Sequence, residues 1–140
     1  VDIVAKGGNL LLNIAPTPEG EWQHGAYSLL KEFGDWMEIN SEGIYNSTVL
    51  EPYKEGNICM TQNKDIANYF FYLCGENETT MPKEIIIKSY KPNQDANITI
   101  LGKEDVIEWE YYENGFKIIL PESIVNNPPC NYVWTIKVSK

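Results

Sequence analysis

A short, nearly continuous apolar run near the start of the chain constrains the fold more than any other feature. In the segment GGNLLLNIAP, residues 7–16, four aliphatic side chains follow two glycines and precede a proline. A strand that is apolar on successive residues is buried on both faces, as in a parallel sheet covered by helices. We therefore predict a buried strand over residues 9–14. The rest of the chain offers it no parallel partner, so either the segment is not such a strand or the chain belongs to something larger.

The residues on both sides of this run carry helical patterns. VDIVAKGG, residues 1–8, is typical of the end of a helix, with Gly7 or Gly8 in the left-handed cap position. Gly43 is expected to end a second helix, over residues 23–39, in the same way. Helix, buried strand, loop and helix form one repeat of an α/β protein. The second helix is predicted to pack against a sheet through a wide apolar stripe, which consists of Tyr27, Leu29, Leu30, Phe33, Trp36, Met37 and Ile39.

After residue 48 the periodicity becomes two, which is typical of strands. The segments concerned are DIANYFFYLC (65–74), EIIIKS (84–89), NITILG (97–102) and NYVWTIKVS (131–139). In the last segment Trp134, Ile136 and Val138 share one face, together with Tyr132. Several short strands separated by turn signals indicate an antiparallel β-sandwich.

The segment VIEWEYYENGFKIILP, residues 106–121, predicts a β-hairpin. Asn114-Gly115 is the favoured pair for a two-residue type I′ turn. With these residues as the turn, Tyr111 pairs with Ile118 and Trp109 pairs with Leu120. The apolar side chains then share one face, so turn chemistry and hydrophobic register agree.

Composition excludes several classes of function. A formal net charge of -9 leaves no basic face for a nucleic-acid backbone, so no nucleic-acid partner is expected. No apolar stretch approaches the length of a membrane span. The single His24 and the widely spaced Cys59, Cys74 and Cys130 complete no ligand set, so we expect no metal and no cofactor. An odd number of cysteines allows at most one internal disulfide, and a buried thiol is the ordinary interpretation for Cys74 and Cys130, which lie in strand-like segments.

The first third of the chain resembles a known family of glycosidases. VDIVAKGGNLLLNIAPTPEG, followed by LLKEFGDWMEINSEGIYNST, is similar to the closing segment of the catalytic barrel in α-L-fucosidases of glycoside hydrolase family 29. Ala15 stands where that family usually has glycine, and Ser41 interrupts its usual Asn-Gly-Glu; neither change bears on chemistry. The matching positions are Val1, Asp2, Val4, residues 6–13, Pro16, Gly20, Leu30, Gly34, Trp36, Asn40, Glu42, Ile44, Tyr45 and Thr48.

This resemblance implies a mainly β fold, in which an antiparallel β-sandwich follows a helix-strand-helix remnant of a (β/α)8 barrel. Residues 1–47 would be the last, incomplete unit of the catalytic barrel and residues 48–140 the C-terminal sandwich domain. The implied reaction of the parent enzyme is retaining hydrolysis of α-L-fucosides from glycans by two carboxylates. In the family both carboxylates precede the matched segment, so this chain alone is predicted to be inactive. Its implied partners are a fucosylated glycan and the missing barrel, and the family acts in the periplasm, outside the cell or in lysosomes.

Two residues near the end of the predicted strand are candidates for substrate binding. Asn13 lies at the end of the strand, on the side where a barrel binds its substrate; the alternative is that it caps the loop at residues 15–18. Trp22 offers an apolar wall for a sugar ring, although a tryptophan entering a helix more often packs on its neighbours. Glu19 and Glu21 are expected to favour the positive end of the helix dipole, and His24 to be a solvated surface residue. No catalytic residue is expected in the chain.

Two functions of different classes remain open from the residues alone. One is the C-terminal part of a fucosidase whose sandwich domain supports the barrel. The other is a non-catalytic carbohydrate-binding or adhesion sandwich with a helical flank. Trp109, Tyr111 and Trp134 share faces with aliphatic residues, so we expect them to pack in the core rather than to form a sugar-binding platform. Tyr112 is expected to be exposed.

Overall fold

The computed structural model describes residues 1–140, which form two antiparallel sheets and a short helical flank. The helices are α1 (Asp2–Ala5), α2 (His24–Asn40) and α3 (Glu122–Val125), and a 3-10 turn at Ser41–Gly43 follows α2. The strands are β1 (Thr48–Glu55), β2 (Ile58–Asn63), β3 (Ala67–Leu73), β4 (Glu84–Ile87), β5 (Ile98–Ile100), β6 (Glu108–Tyr112), β7 (Gly115–Ile119) and β8 (Val133–Ser139). The predicted mainly β fold with an antiparallel sandwich is confirmed.

The sheets have the strand orders β1-β2-β3-β8-β5 and β4-β7-β6. Every strand pair is antiparallel. A cluster of 17 buried apolar residues, among them Phe70, Phe116 and Trp134, fills the space between the two sheets. Burial of one large side chain of this kind contributes about 1.5–3 kcal/mol, so this cluster is the main source of stability.

The five-stranded sheet is buried on its other face as well. Tyr69 and Phe71 of β3 are 0% exposed and belong to a second cluster that Trp36 and Ile39 of α2 cover. Phe70, between them in sequence, faces the first cluster. The alternation in β3 therefore separates two apolar faces, and the helical flank forms a third layer over the sandwich.

The helix ends differ from one another. Gly7, whose φ of 83° is left-handed, terminates α1 two residues after its last residue, Ala5. The amides of Gly7 and Gly8 donate to the carbonyls of Val4 and Ile3 at 2.9 Å, as in a Schellman cap. The prediction for Gly43 is wrong, because its φ is not left-handed. A Cβ on Gly43 would lie 2.7 Å from Phe71 Cζ, so glycine is needed there for close packing on β3.

The strand predicted over residues 9–14 does not form in this chain. Leu10, Leu11 and Leu12 are 55%, 85% and 56% exposed, and no backbone amide from residue 9 to residue 15 donates a hydrogen bond. A strand that is apolar on both faces needs neighbouring strands on both edges, and no strand of these 140 residues pairs with this segment.

The β6–β7 hairpin forms with a register two residues away from the prediction. Tyr112 pairs with Gly115, Tyr111 with Phe116 and Trp109 with Ile118, so the turn residues are Glu113 and Asn114. A Cβ on Gly115 would lie 1.9 Å from the Ile87 carbonyl oxygen, so the glycine serves the contact with β4 rather than the turn. The shift of two preserves which side chains share a face.

Core packing is confirmed for Trp134, which is 1% exposed, and Trp109 packs against the same core while half-buried. Tyr111 is 46% exposed, so the prediction for it is wrong: its hydroxyl donates to the Pro92 carbonyl at 3.2 Å at the edge of the sheet. The structure also contains two strands that the sequence did not indicate, β1 and β2. A register shift between Val49 and Lys54 interrupts the alternation of β1.

Candidate functional site

An apolar groove lies between the segment after α1 and the first half of α2. It has a volume of about 670 Å³. Leu29 and Phe33 of α2 are 68% and 47% exposed beside it, so only the second half of the helix packs on the sheet as predicted. The side chains that line the groove are Leu12, Asn13, Ile14, Ala15, Gln23, Ala26, Leu29, Leu30 and Phe33.

Asn13 lines this groove and is exposed. Its side chain makes no hydrogen bond to residues 15–18, so the capping role weighed above is not observed. Gln23 is the other polar side chain of the groove, and it precedes α2 without a side-chain cap. The site is therefore mostly aliphatic, with two amide groups.

Trp22 lies on a short ordered loop next to the groove. Residues 16 and 22 form an isolated antiparallel bridge, and the Thr17 amide donates to the Glu21 carbonyl at 2.6 Å. The Gly20 amide donates to the Thr17 carbonyl at 2.9 Å. These bonds hold the start and end of the loop together, so Trp22 has a defined position although it is 44% exposed.

The sequence did not indicate the partner of Trp22. Tyr27, assigned above to the packed stripe of α2, is 53% exposed, and its ring centroid lies 5.6 Å from that of Trp22 at an interplanar angle of 48°. Trp22 and Tyr27 are five residues apart, on either side of the helix start. Helical periodicity alone does not distinguish such an exposed pair from residues that pack in the core. The structure brings Trp22 to Tyr27, whereas Asn13 lines the neighbouring groove.

The chain does not assemble a catalytic constellation at this groove. Glu19, Glu21 and His24 are exposed, the last as expected. No group of three or more histidine, cysteine, aspartate or glutamate side chains is placed to hold a metal ion. Burial raises the pKa of Cys74 to about 11 and raises that of Cys130, so both thiols are protonated at neutral pH and are poor nucleophiles. The arrangement can bind a ligand but offers no acid, base or nucleophile.

Buried polar groups fasten the second half of α2 to the sheet. Trp36 Nε1 donates to the Val133 carbonyl at 3.0 Å, and Thr135 Oγ1 donates to Asn40 Oδ1 at 2.6 Å. Asn40 Nδ2 also donates to the Trp36 carbonyl at 2.9 Å. Asn40 and Thr135 are both 0% exposed, so each partner would be left unsatisfied without the other.

Glu42 continues this junction at the edge of the helical layer. Its carboxylate accepts hydrogen bonds from Tyr69 Oη at 2.8 Å and from Lys137 Nζ. Burial by itself raises the pKa of Glu42, but the hydrogen bonds from Lys137 and Tyr69 outweigh burial and hold that pKa below its ordinary value. For Tyr69, burial and then the neighbouring carboxylate raise the pKa.

The two exposed tyrosines of β6 form no second platform. Tyr111 and Tyr112 are neighbours in β6 and therefore project to opposite faces of the sheet. Lys91 lies over the Tyr111 ring, with Nζ 4.9 Å from its centroid, which leaves that ring less free to stack on a sugar. None of the helices combines the length and the apolar composition that a membrane crossing requires.

Comparison with protein families decides the ancestry of the chain. A model described as α-L-fucosidase matches residues 1–42, and a model described as the α-L-fucosidase C-terminal domain matches residues 57–139, which is more than half of the chain. The chain belongs to the α-L-fucosidase family. The resemblance carried by residues 1–48 is thereby confirmed, and it extends to the sandwich, where no motif was evident.

Related fucosidases are much longer than this chain. Tissue α-L-fucosidase of Mus musculus is 32% identical over 147 residues, which include 100% of this chain and 31% of the mouse protein. Plasma α-L-fucosidase of Homo sapiens is 26% identical, over 99% of this chain and 30% of the human protein. The chain thus spans about a third of the length of the curated fucosidases that it matches.

Solved fucosidase structures share the fold. The α-fucosidase of Thermotoga maritima in complex with a mechanism-based inhibitor superposes with a TM-score of 0.81 at 19% identity, over 99% of this chain and 32% of that chain. An α-L-fucosidase from Bacteroides thetaiotaomicron, trapped as a covalent intermediate with 2-fluoro-fucosyl fluoride, superposes with a TM-score of 0.67 at 17% identity, over 97% of this chain and 29% of that chain.

Proposed function

We propose that this chain is the C-terminal portion of an α-L-fucosidase that hydrolyses α-L-fucosides of glycans with retention of configuration. Family membership carries the proposal. The covalent intermediate trapped in the Bacteroides thetaiotaomicron fucosidase supports retention, since a glycosyl-enzyme intermediate is the mark of a retaining mechanism. Both catalytic carboxylates would lie outside residues 1–140, in agreement with a groove that holds no carboxylate pair.

The occupant proposed for the aliphatic groove is the rest of the catalytic barrel. Leu11 is 85% exposed and Leu29 is 68% exposed, a state that costs roughly 1.5–3 kcal/mol of lost burial for each side chain. Neighbouring barrel strands would pair with residues 9–14, and the preceding helix would cover Leu29 and Phe33 of α2. On this proposal residues 1–47 complete the barrel and residues 48–140 form the sandwich domain.

The sandwich domain would support the barrel rather than take part in chemistry. Trp36, Asn40 and Glu42 bind the last helical layer to β3 and β8 through side-chain hydrogen bonds with Val133, Thr135, Tyr69 and Lys137 as partners. A helix held at these points cannot rotate or slide without leaving buried polar groups unpaired. The second half of α2 would thus be a fixed support for the last strand of the barrel.

Asn13 and Trp22 are proposed as substrate-side residues. Asn13 lies at the end of residues 9–14, which correspond on this proposal to the last barrel strand, and Trp22 lies in the loop that follows; active sites of (β/α)8 barrels lie at the C-terminal ends of the strands. Asn13 is exposed and free of internal hydrogen bonds, so its amide is available to a sugar hydroxyl.

Fucose release by the full-length enzyme and by the 140-residue chain tests this function. With an aryl α-L-fucoside, the full-length enzyme is expected to release fucose and the chain alone to release none. Proton NMR of the first product distinguishes retention, which forms the α-anomer, from inversion. Turnover by the chain alone would contradict the placement of the carboxylates, and an initial β-anomer would contradict retention.

The alternative of a carbohydrate-binding or adhesion module is not favoured. Its exposed tyrosines in β6 lie on opposite faces, and both parts of the chain match fucosidase models.

A further inference from the structure

Trp22 and Tyr27 form an exposed aromatic corner, and nothing in the fold of this chain requires it. The two rings are 44% and 53% exposed and lie outside both apolar clusters of the molecule. Their contact with each other, 5.6 Å between centroids, is the one aromatic contact that either ring makes. Exposed aromatic side chains with a fixed geometry are typical of ligand sites, where they supply apolar surface at a small entropic cost.

The position of the corner is set by two different elements. Trp22 closes the loop through the bridge between residues 16 and 22, and Tyr27 stands in the first turns of α2. The hydrogen bonds between Thr17 and residues 20 and 21 fix the loop without help from the rings themselves. The corner is therefore held by backbone contacts, so a ligand would meet an already ordered surface.

Its surroundings separate the corner from the aliphatic groove beside it. The groove presents leucine, isoleucine and phenylalanine side chains, which suit a protein layer. The corner is flanked in sequence by Glu19, Glu21, Gln23 and His24, all exposed. A pyranose ring has a C–H face that suits an aromatic ring and hydroxyl groups at its edge that suit carboxylate, amide and imidazole partners.

We propose that Trp22 and Tyr27 form an aglycone subsite, which stacks against the sugar that carries the fucosyl group. This inference rests on the proposed function. On that function the loop and the start of α2 stand at the rim of the catalytic face, outside the ring of strands whose centre holds the reacting sugar. A rim site contacts the part of the glycan beyond the scissile bond, and Trp22 and Tyr27 thus contribute to the choice of acceptor glycan rather than to the recognition of fucose.

Two substrates that differ in the leaving group test the subsite in the full-length enzyme. α-L-Fucosyl fluoride has no aglycone sugar, whereas a fucosylated lactose has two. Trp22→Ala and Tyr27→Ala are each expected to lower kcat/KM for the fucosylated lactose about five- to tenfold, and to leave kcat/KM for the fluoride within about twofold of the unchanged enzyme. Tyr27→Phe keeps the ring and is expected to retain both activities. Tyr112→Ala removes an exposed ring from the far sheet and is the matched control.

The remaining outcomes separate this inference from the function on which it rests. An equal fall on both substrates, or no change on either, overturns the subsite and leaves the fucosidase assignment standing. An unchanged enzyme that cleaves neither substrate overturns the proposed function and the subsite with it. If an alanine variant melts well below the unchanged enzyme, Trp22→Phe and Tyr27→Phe are compared with Trp22→Leu and Tyr27→Leu, and loss of selectivity with leucine alone supports stacking.

Discussion

At the scale of single residues, Gly115 belongs to a sequence pair typical of a turn but serves close packing between strands instead. The glycine of Asn114-Gly115 lies in β7, where its Cα faces the Ile87 carbonyl oxygen so closely that a Cβ would stand 1.9 Å from it. The hairpin turn instead uses Glu113, whose φ is 51°. Close approach of β7 to the end of β4 thus decides which residue must be glycine.

Gly115→Ala is expected to destabilise the chain by about 3 kcal/mol, because the β4 and β7 backbones must separate to admit the methyl group. Gly34→Ala is the matched control: a methyl group on Gly34 would meet nothing within 4 Å, and this glycine stands inside α2. Alanine there should stabilise the chain by roughly 0.5–1 kcal/mol through helix propensity. Urea unfolding followed by tryptophan fluorescence measures both, and equal effects of the two substitutions would contradict this account.

At the scale of elements, the contact between α2 and β8 depends on one buried hydrogen-bonded pair. Asn40→Ala leaves the Thr135 hydroxyl without its 2.6 Å partner and should cost about 2–3 kcal/mol of unfolding free energy. Thr135→Val leaves the side-chain carbonyl of Asn40 without its donor in the same way. The double substitution is expected to cost less than the sum of the two, with a coupling of about 1–2 kcal/mol. Strict additivity in this double-mutant cycle would mean that the two groups do not support each other.

The contact of Glu42 with β3 and β8 makes the same junction sensitive to acid. Because its pKa in the folded chain lies below the ordinary value of 4.5, the folded state holds the proton less tightly than the unfolded state. The stabilisation from Glu42 is therefore complete above about pH 5 and is lost as the pH falls through the folded pKa. Glu42→Gln should lower the unfolding free energy by about 1 kcal/mol at neutral pH and by progressively less in acid. The loss is modest because the carboxylate is partly exposed.

Unfolding free energies measured between neutral pH and about pH 3 compare Glu42→Gln with the unchanged chain. Glu104→Gln is the control, because Glu104 is exposed and makes no hydrogen bond or ion pair. Its unfolding free energy should differ little from that of the unchanged chain. A constant difference between Glu42→Gln and the unchanged chain across this range would show that the loss is steric rather than electrostatic.

At the scale of the whole molecule, one apolar side of the 140-residue chain is open to water. The amides of residues 9–15 have no internal acceptor and are expected to exchange with solvent rapidly, whereas those of β3 and β8, inside the five-stranded sheet, should be among the slowest. The chain is also expected to associate at micromolar concentration through its exposed leucines. Leu11→Lys and Leu29→Lys should weaken this association, measured by sedimentation velocity.

Ile66→Lys provides the control for association, since Ile66 is 48% exposed at the turn between β2 and β3, far along the chain from the groove. An equal effect of all three lysine substitutions would point to a general charge effect. Slow exchange in residues 9–15 of the monomer would mean that the segment pairs within the chain.

Much of the fold and part of the site were predictable from local pattern. The second helix, four sheet strands and the shared faces of β3, β8 and the hairpin follow from spacing, since side-chain direction repeats every 3.6 residues in a helix and every two in a strand. β1 was not predicted because the register shift after Val49 breaks that alternation, and β2 was not predicted either. Trp22 was identified as a candidate, but Tyr27 was not, because a helical stripe has the same spacing whether a layer covers it or not.

By itself the sequence determined the family, the element types and the division of each strand into two faces, because these depend on residues that are close along the chain. Only the tertiary structure decided which faces are covered. Residues 9–14 have the local pattern of a buried strand, and yet residues 9–13 lie exposed, since burial requires partners from other parts of a protein. Contacts between distant segments likewise explain Gly43 and Gly115. A side chain at either position would collide with β3 or β4, respectively, rather than with residues nearby in sequence.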